Sequence, residues 1–153
     1  MDRGKTPEAI HTWSIMLKAL RAVRQFVLPP ILEEGLGDSD FRVLDVLLEI
    51  GPMAVNALGP KVDLNPGSVS VAVDRLYKKG LVSSVESESD RRVRTVSLTE
   101  KGRRVFVPIY RQNSALIKRA FQDISPEEQR QTEEVLERIA RGAEQLAEQE
   151  DHR

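Results

Sequence analysis

Cysteine is absent from the 153 residues. That excludes disulfides, thiolate metal sites, a cysteine nucleophile and any thiol redox switch. Histidine occurs only twice, at His11 and His152, near opposite ends of the chain. Two such distant imidazoles are a poor basis for a zinc site or a histidine-based triad, and no metal or cofactor is expected. Aromatic residues are scarce, at 5%. No apolar run approaches the roughly 20 residues that span a bilayer, and no secretory signal precedes the first charged segment. Neither membrane insertion nor secretion is expected.

What is present is a chain of one domain's length, 40% hydrophobic and 31% charged, a globular composition. Net charge is −1, and its distribution is uneven. Residues 61–104 carry ten basic and six acidic residues, whereas residues 126–153 carry four and nine. A basic middle on a near-neutral chain is a candidate nucleic-acid footprint.

Three prolines mark helix starts. Thr6-Pro7, Asn65-Pro66 and Ser125-Pro126 each put a capping side chain before a residue that lacks the N–H a first turn would orphan. Ser125 with Glu128 reads as a capping box. The first helix is predicted from about Pro7 to Leu28, with Ile10, Trp13, Leu17 and Leu20 on its apolar face and Pro29-Pro30 as its stop. A linker through Gly35 and Gly37 leads to a second helix, capped by Asp38 or Ser39 and ended by Gly51-Pro52. Residues 53–63 read as a short helix that Pro60 kinks or ends. Asn65 caps a helix from Pro66 to Lys79, its inner stripe Val69, Ala72, Val73 and Leu76. Gly80 is a left-handed stop.

The period then changes. Leu81–Val85 and Val93–Leu98 are β-rich and flank a polar tip, a two-stranded hairpin. Thr99 caps a helix over about 100–121, with Pro108 as an expected kink in its interior, and the last helix covers about 126–148. The predicted fold class is mainly α with a small β-wing.

Three helices followed by a hairpin over 39–98 is the order of a winged helix-turn-helix, whose second motif helix enters the major groove. The outward face of 66–79 offers Ser68, Ser70, Val71, Asp74, Arg75 and Lys78. Small hydroxyls allow close approach to base edges. The helix start at Asn65–Ser68 suits a phosphate, and Lys79 extends the positive charge. The hairpin tip supplies Arg91, Arg92 and Arg94; arginine on such a wing can enter a narrow minor groove, and Asp90 can orient it.

Leu76-Tyr77-Lys78-Lys79-Gly80-Leu81-Val82, followed by Asp90-Arg91-Arg92-Val93-Arg94-Thr95-Val96-Ser97-Leu98-Thr99-Glu100-Lys101-Gly102, resembles the multiple-antibiotic-resistance regulator (MarR) family. The resemblance implies a cytoplasmic, nucleoid-associated bacterial or archaeal regulator: a homodimeric repressor that binds double-stranded DNA and releases a pseudo-palindromic operator when a small aromatic, phenolic or quinone-like ligand binds. It implies one domain over 1–153: 7–37 and 100–153 as dimerisation helices with linker, and 38–99 as the winged helix-turn-helix. Arg92 matches the minor-groove arginine, with Asp90 as its partner and Arg91 as the alternative. His11, Trp13, Met16, Phe41 and Tyr110 are the candidate ligand-crevice residues. Pro60, and Met53-Ala54-Val55-Asn56 without the usual Ser or Thr, depart from the family pattern. The wide apolar stripes of the first and last helices independently favour a partner surface. The competing reading is a winged protein-interaction module that does not read DNA. No phosphate loop, nucleophile elbow or metal cluster supports an enzyme.

Overall fold

The computed structural model describes residues 8–88 and 93–151. The chain divides into two compact units, Met1–Ile117 and Lys118–Arg153. The first holds α1 (Glu8–Glu33), α2 (Asp38–Glu49), β1 (Met53–Ala54), α3 (Val55–Val62), α4 (Pro66–Lys78), β2 (Val82–Glu86), β3 (Arg94–Leu98) and most of α5 (Glu100–Ala120). The second holds the end of α5 and α6 (Pro126–Asp151). No described helix is long and apolar enough to cross a membrane.

The winged segment builds its own core. Val43, Leu44 and Leu47 of α2, Leu58 and Val62 of α3, and Val69, Ala72, Val73 and Leu76 of α4 are all buried. Val82 and Val96 close it from the sheet, and Phe106 from α5. The Phe41 ring meets Phe106 edge-on at 5.1 Å, a favoured aromatic geometry.

Four expectations need correction. Pro29-Pro30 does not stop α1, which runs to Glu33. The prolines remove two helical donors, but Ile31, the next residue, is buried in the core and keeps the last turn helical. The cap of α2 is Gly37 rather than Asp38 or Ser39, and its N–H donates to Asp40 Oδ2 at 2.9 Å. Pro60 does not end α3 at Gly59. The helix continues to Val62, because Leu58, Gly59 and Val62 are all buried, and it closes with Leu64 N–H on the Gly59 carbonyl at 3.1 Å. The sheet has three strands in the order β1-β3-β2, not two. Met53 pairs with Val96 and Ala54 with Thr95 on the free edge of β3.

The other boundaries follow local chemistry. Gly80 adopts φ +71°, which favours glycine, and its N–H bonds the Tyr77 carbonyl at 2.9 Å. Thr99 Oγ1 accepts from the Gly102 N–H at 2.9 Å and donates to the Gly80 carbonyl at 2.7 Å. A Cβ on Gly102 would sit 1.9 Å from the Leu81 carbonyl oxygen. The Thr99-to-Gly102 string is thus a joint that lays the start of α5 directly on the backbone entering β2. At the other end, Ser125 and Glu128 form the reciprocal capping box: Ser125 N–H donates to Glu128 Oε2 at 2.8 Å, and Glu128 N–H to Ser125 Oγ at 3.3 Å. Thr6 and Pro7, the expected first cap, lie outside the described residues.

Candidate nucleic-acid interface

Burying Val69, Ala72, Val73 and Leu76 forces the opposite face of α4 outward. Val71 is 59% exposed. Asp74 and Lys78 are exposed beside it, and Ser68 and Ser70 are half-buried at its edge. Asn65 Oδ1 accepts from Ser68 N–H at 2.8 Å, and the Asn65 carbonyl accepts from Val69 N–H at 3.1 Å. The expected open phosphate cradle at Asn65–Ser68 is therefore largely closed. Pro66 has no donor, the Ser68 donor is used by the cap, and the Gly67 N–H remains.

An open groove of about 610 Å³ lies between α3, the start of α4 and the root of the wing. Asn56, Pro60, Asn65, Ser70, Val93 and Arg94 line it. It brings Asn65, Ser70 and Arg94 together, although they are distant in sequence. Asp63 also lines it and makes part of the groove repulsive to a phosphate.

Ser87 N–H donates to the Val93 carbonyl at 2.8 Å and ties the two strands together beyond their ladder. Asp90, Arg91 and Arg92, the predicted wing tip, lie outside the described residues. Arg94 belongs not to the tip but to the first position of β3, opposite Glu86. Its Nη1 lies 3.4 Å from Asp74 Oδ1, which joins the root of the wing to the outer face of α4.

Arg75 also departs from its expected role as a free outward contact. Its Nε donates to both Asp40 oxygens at 2.9 and 3.0 Å. Its Nη2 donates to Asp40 Oδ1 at 2.7 Å and to Ser39 Oγ at 3.2 Å. The hydrogen bond to Asp40 pushes the Arg75 guanidinium up from its ordinary value, with burial working against it. Lys78 is exposed, whereas Lys79 Nζ donates to the Gly35 carbonyl.

The candidate ligand residues separate into two groups. Phe41 and Tyr110 flank Phe106, with ring centroids 5.1 and 6.2 Å from it. His11 and Trp13 are exposed on the first turns of α1, and Met16 is half-buried.

Sequence reasoning missed the role of Asp40. A signal was present: Asp40 precedes Val43, Leu44 and Leu47 by three, four and seven positions, so helical spacing places it on the buried face. A carboxylate there requires a partner.

Residues 36–93 match the model of the MarR family. MhqR, an HTH-type transcriptional regulator of Bacillus subtilis, is 29% identical over 141 residues, spanning 92% of this chain and 97% of MhqR. Sco3205, a MarR family transcriptional regulator of Streptomyces coelicolor solved in complex with DNA, superposes with a TM-score of 0.81 at 23% identity, over 93% of this chain and 91% of that one. An organohalide-sensing transcriptional regulator in its 2,4-dichlorophenol-bound form gives 0.81 at 17% identity, over 93% and 85%. The two structures establish a shared fold. All three proteins are regulators of transcription rather than enzymes.

Proposed function

Because this chain belongs to the MarR family of winged helix-turn-helix transcriptional regulators, we propose that it binds double-stranded DNA as a homodimer and represses from a pseudo-palindromic operator. The observation that carries the reading is the outward face of α4. Ser70, Val71 and Lys78 face away from a core that leaves α4 no other freedom, with Arg94 on the adjoining strand. Small side chains there allow base-edge contact, and the cations meet phosphate. Arg92, with Arg91 as its alternative and Asp90 as its orienting partner, is the proposed minor-groove contact.

The homodimer is supported by two apolar stripes. Ile10, Trp13, Leu17 and Leu20 on α1 are exposed, as are Leu136, Ile139 and Leu146 on α6. A two-fold axis then sets the half-sites about one helical turn apart, roughly 34–36 Å. Release by a small aromatic or phenolic ligand follows if the ligand prefers a dimer geometry in which the two α4 helices miss that spacing. The 2,4-dichlorophenol held by one structural neighbour is of this class. Phe41 and Tyr110 supply aromatic surface, and His11, Trp13 and Met16 lie on α1.

Selection of bound duplexes from a random pool tests the reading, followed by Arg92→Ala on the selected site. The variant should lose about 1–3 kcal/mol of operator affinity with its melting temperature nearly unchanged. Affinity should also fall steeply with salt, as neutralised phosphates release counterions. A pool that yields no preferred sequence, together with a flat salt response, would replace this reading with the protein-interaction module.

A further inference from the structure

The start of α2 gathers arginines from three helices. Arg24 of α1 donates to Asp38 Oδ2 at 2.9 Å. Arg42, one turn along α2, meets the same oxygen at 2.9 Å. Arg42 Nη1 also donates to the carbonyl of Val62, the last residue of α3, at 3.1 Å. Two positions beyond Asp38, Asp40 takes the fork of Arg75 from α4 and the N–H of Gly37. Groups from three helices therefore meet at two carboxylates in one helical turn, where the α2 dipole favours negative charge, and Arg42 ties in the end of α3.

The Asp40 carboxylate is only 1% exposed. A buried ion pair is weak evidence for stability, because desolvation offsets much of its attraction. What it does provide is direction. The apolar contact between α4 and α2 tolerates small slides and rotations, since dispersion has little directionality. A guanidinium fork on one carboxylate tolerates neither. Reading bases requires contacting side chains held to about half an ångström.

Resting on the DNA-reading function above, we propose that Arg75 is a positioning residue: its fork on Asp40 sets the register of α4 on α2, and the Arg24–Asp38–Arg42 cluster carries that register to α1 and to the end of α3. Specific recognition then depends on a residue that touches no base, while general attraction to phosphate does not depend on it.

The test compares affinity for the selected operator with affinity for a random duplex of equal length, at one salt concentration. It uses the intact protein, Arg75→Ala, Asp40→Asn and the double variant. Each single change should lower the operator-to-random ratio by roughly tenfold, the scale of a mismatched base pair. The double variant should lower it no further, because both changes break one interaction. Asp40→Asn should keep the wild-type affinity and salt slope on random duplex. Losses that multiply in the double variant, or a wild-type ratio in Asp40→Asn, overturn the proposal and return Arg75 to direct contact.

A second measurement needs no variant to fold. The Arg75 Nε–H resonance of the wild-type protein should keep its shift when operator is added, and displacement of that resonance overturns the proposal. Arg24→Ala, at a pair open to solvent on both sides, should leave melting unchanged and lower the ratio by a smaller factor. A wild-type ratio in that variant removes the α1 part. Failure of the wild-type protein to prefer any duplex would overturn the DNA-reading premise itself, an outcome distinct from all of these.

Discussion

The winged segment and the long helices that bracket it use apolar residues in opposite ways. Between Leu36 and Val96, the aliphatic residues of α2, α3, α4 and the sheet converge on one core, and eleven of them are buried. In α1 only Ile31 is buried, and in α6 no described residue is. Yet both helices have regular stripes. Ile10, Trp13, Leu17 and Leu20 are separated by three, four and three positions, and Leu136, Ile139, Ala143 and Leu146 repeat that spacing. Periodicity and burial are therefore separate facts. A periodic stripe states that a helix has an apolar side. Whether its own chain covers that side depends on whether other elements are placed to meet it.

The largest losses should come from substitutions inside the winged segment. Gly102→Ala drives a Cβ to within 1.9 Å of the Leu81 carbonyl oxygen. The backbone has to move, so the loss should exceed the roughly 1–3 kcal/mol typical of overpacking. Urea unfolding would show it, and a midpoint near wild type would mean that the joint between Gly80 and α5 is soft. Phe106→Ala, at a fully buried site, should cost about 3–5 kcal/mol in the same measurement.

The bracketing helices should respond differently. Ile139→Glu, on the α6 stripe, should leave the unfolding of the winged segment in place. It should weaken self-association by at least about 2 kcal/mol, the worth of one buried aliphatic side chain. Sedimentation across a concentration series would detect the shift, and an unchanged weight-average mass would detach α6 from the dimer surface.

The smallest effect belongs to the α6 cap. Hydrogen bonds from Ser125 hold Glu128 below its ordinary value of 4.5. A depressed carboxylate contributes stability above its unfolded value and loses it as pH falls through the folded one. Helicity of the wild-type α6 should therefore decline slightly below pH 4.5, and Glu128→Gln should flatten that response. Equal pH profiles for the two proteins would leave the box without an electrostatic part.

Much of the fold was legible because its signals are local. Asn65 capping α4, Gly80 turning left-handed, Thr99 capping α5 and Ser125 exchanging bonds with Glu128 each involve residues within a few positions of one another. The inner stripe of α4 was legible for the same reason, and so was the outward placement of Val71 and Lys78. β1 was not, because two residues are too short to show alternation and their pairing is supplied by β3, more than forty positions later. The continuation of α1 past Pro29-Pro30 was not, because the burial of Ile31 outweighs a local preference against helix. Arg75 was misplaced because its partner lies 35 residues earlier, and nothing near it in the chain marks Asp40 as that partner.

Amino-acid order alone thus determined where α4, α5 and α6 begin, which side of each is apolar and which cations gather in the middle of the chain. Those outcomes depend on capping and on periods of 2 and 3.6 residues, which act within one or two turns. The tertiary arrangement decided which arginines face outward and which are held, and gave the sheet its third strand. An ion pair such as Arg75–Asp40 exists only once packing has brought two distant turns within 3 Å, and no local pattern encodes that distance.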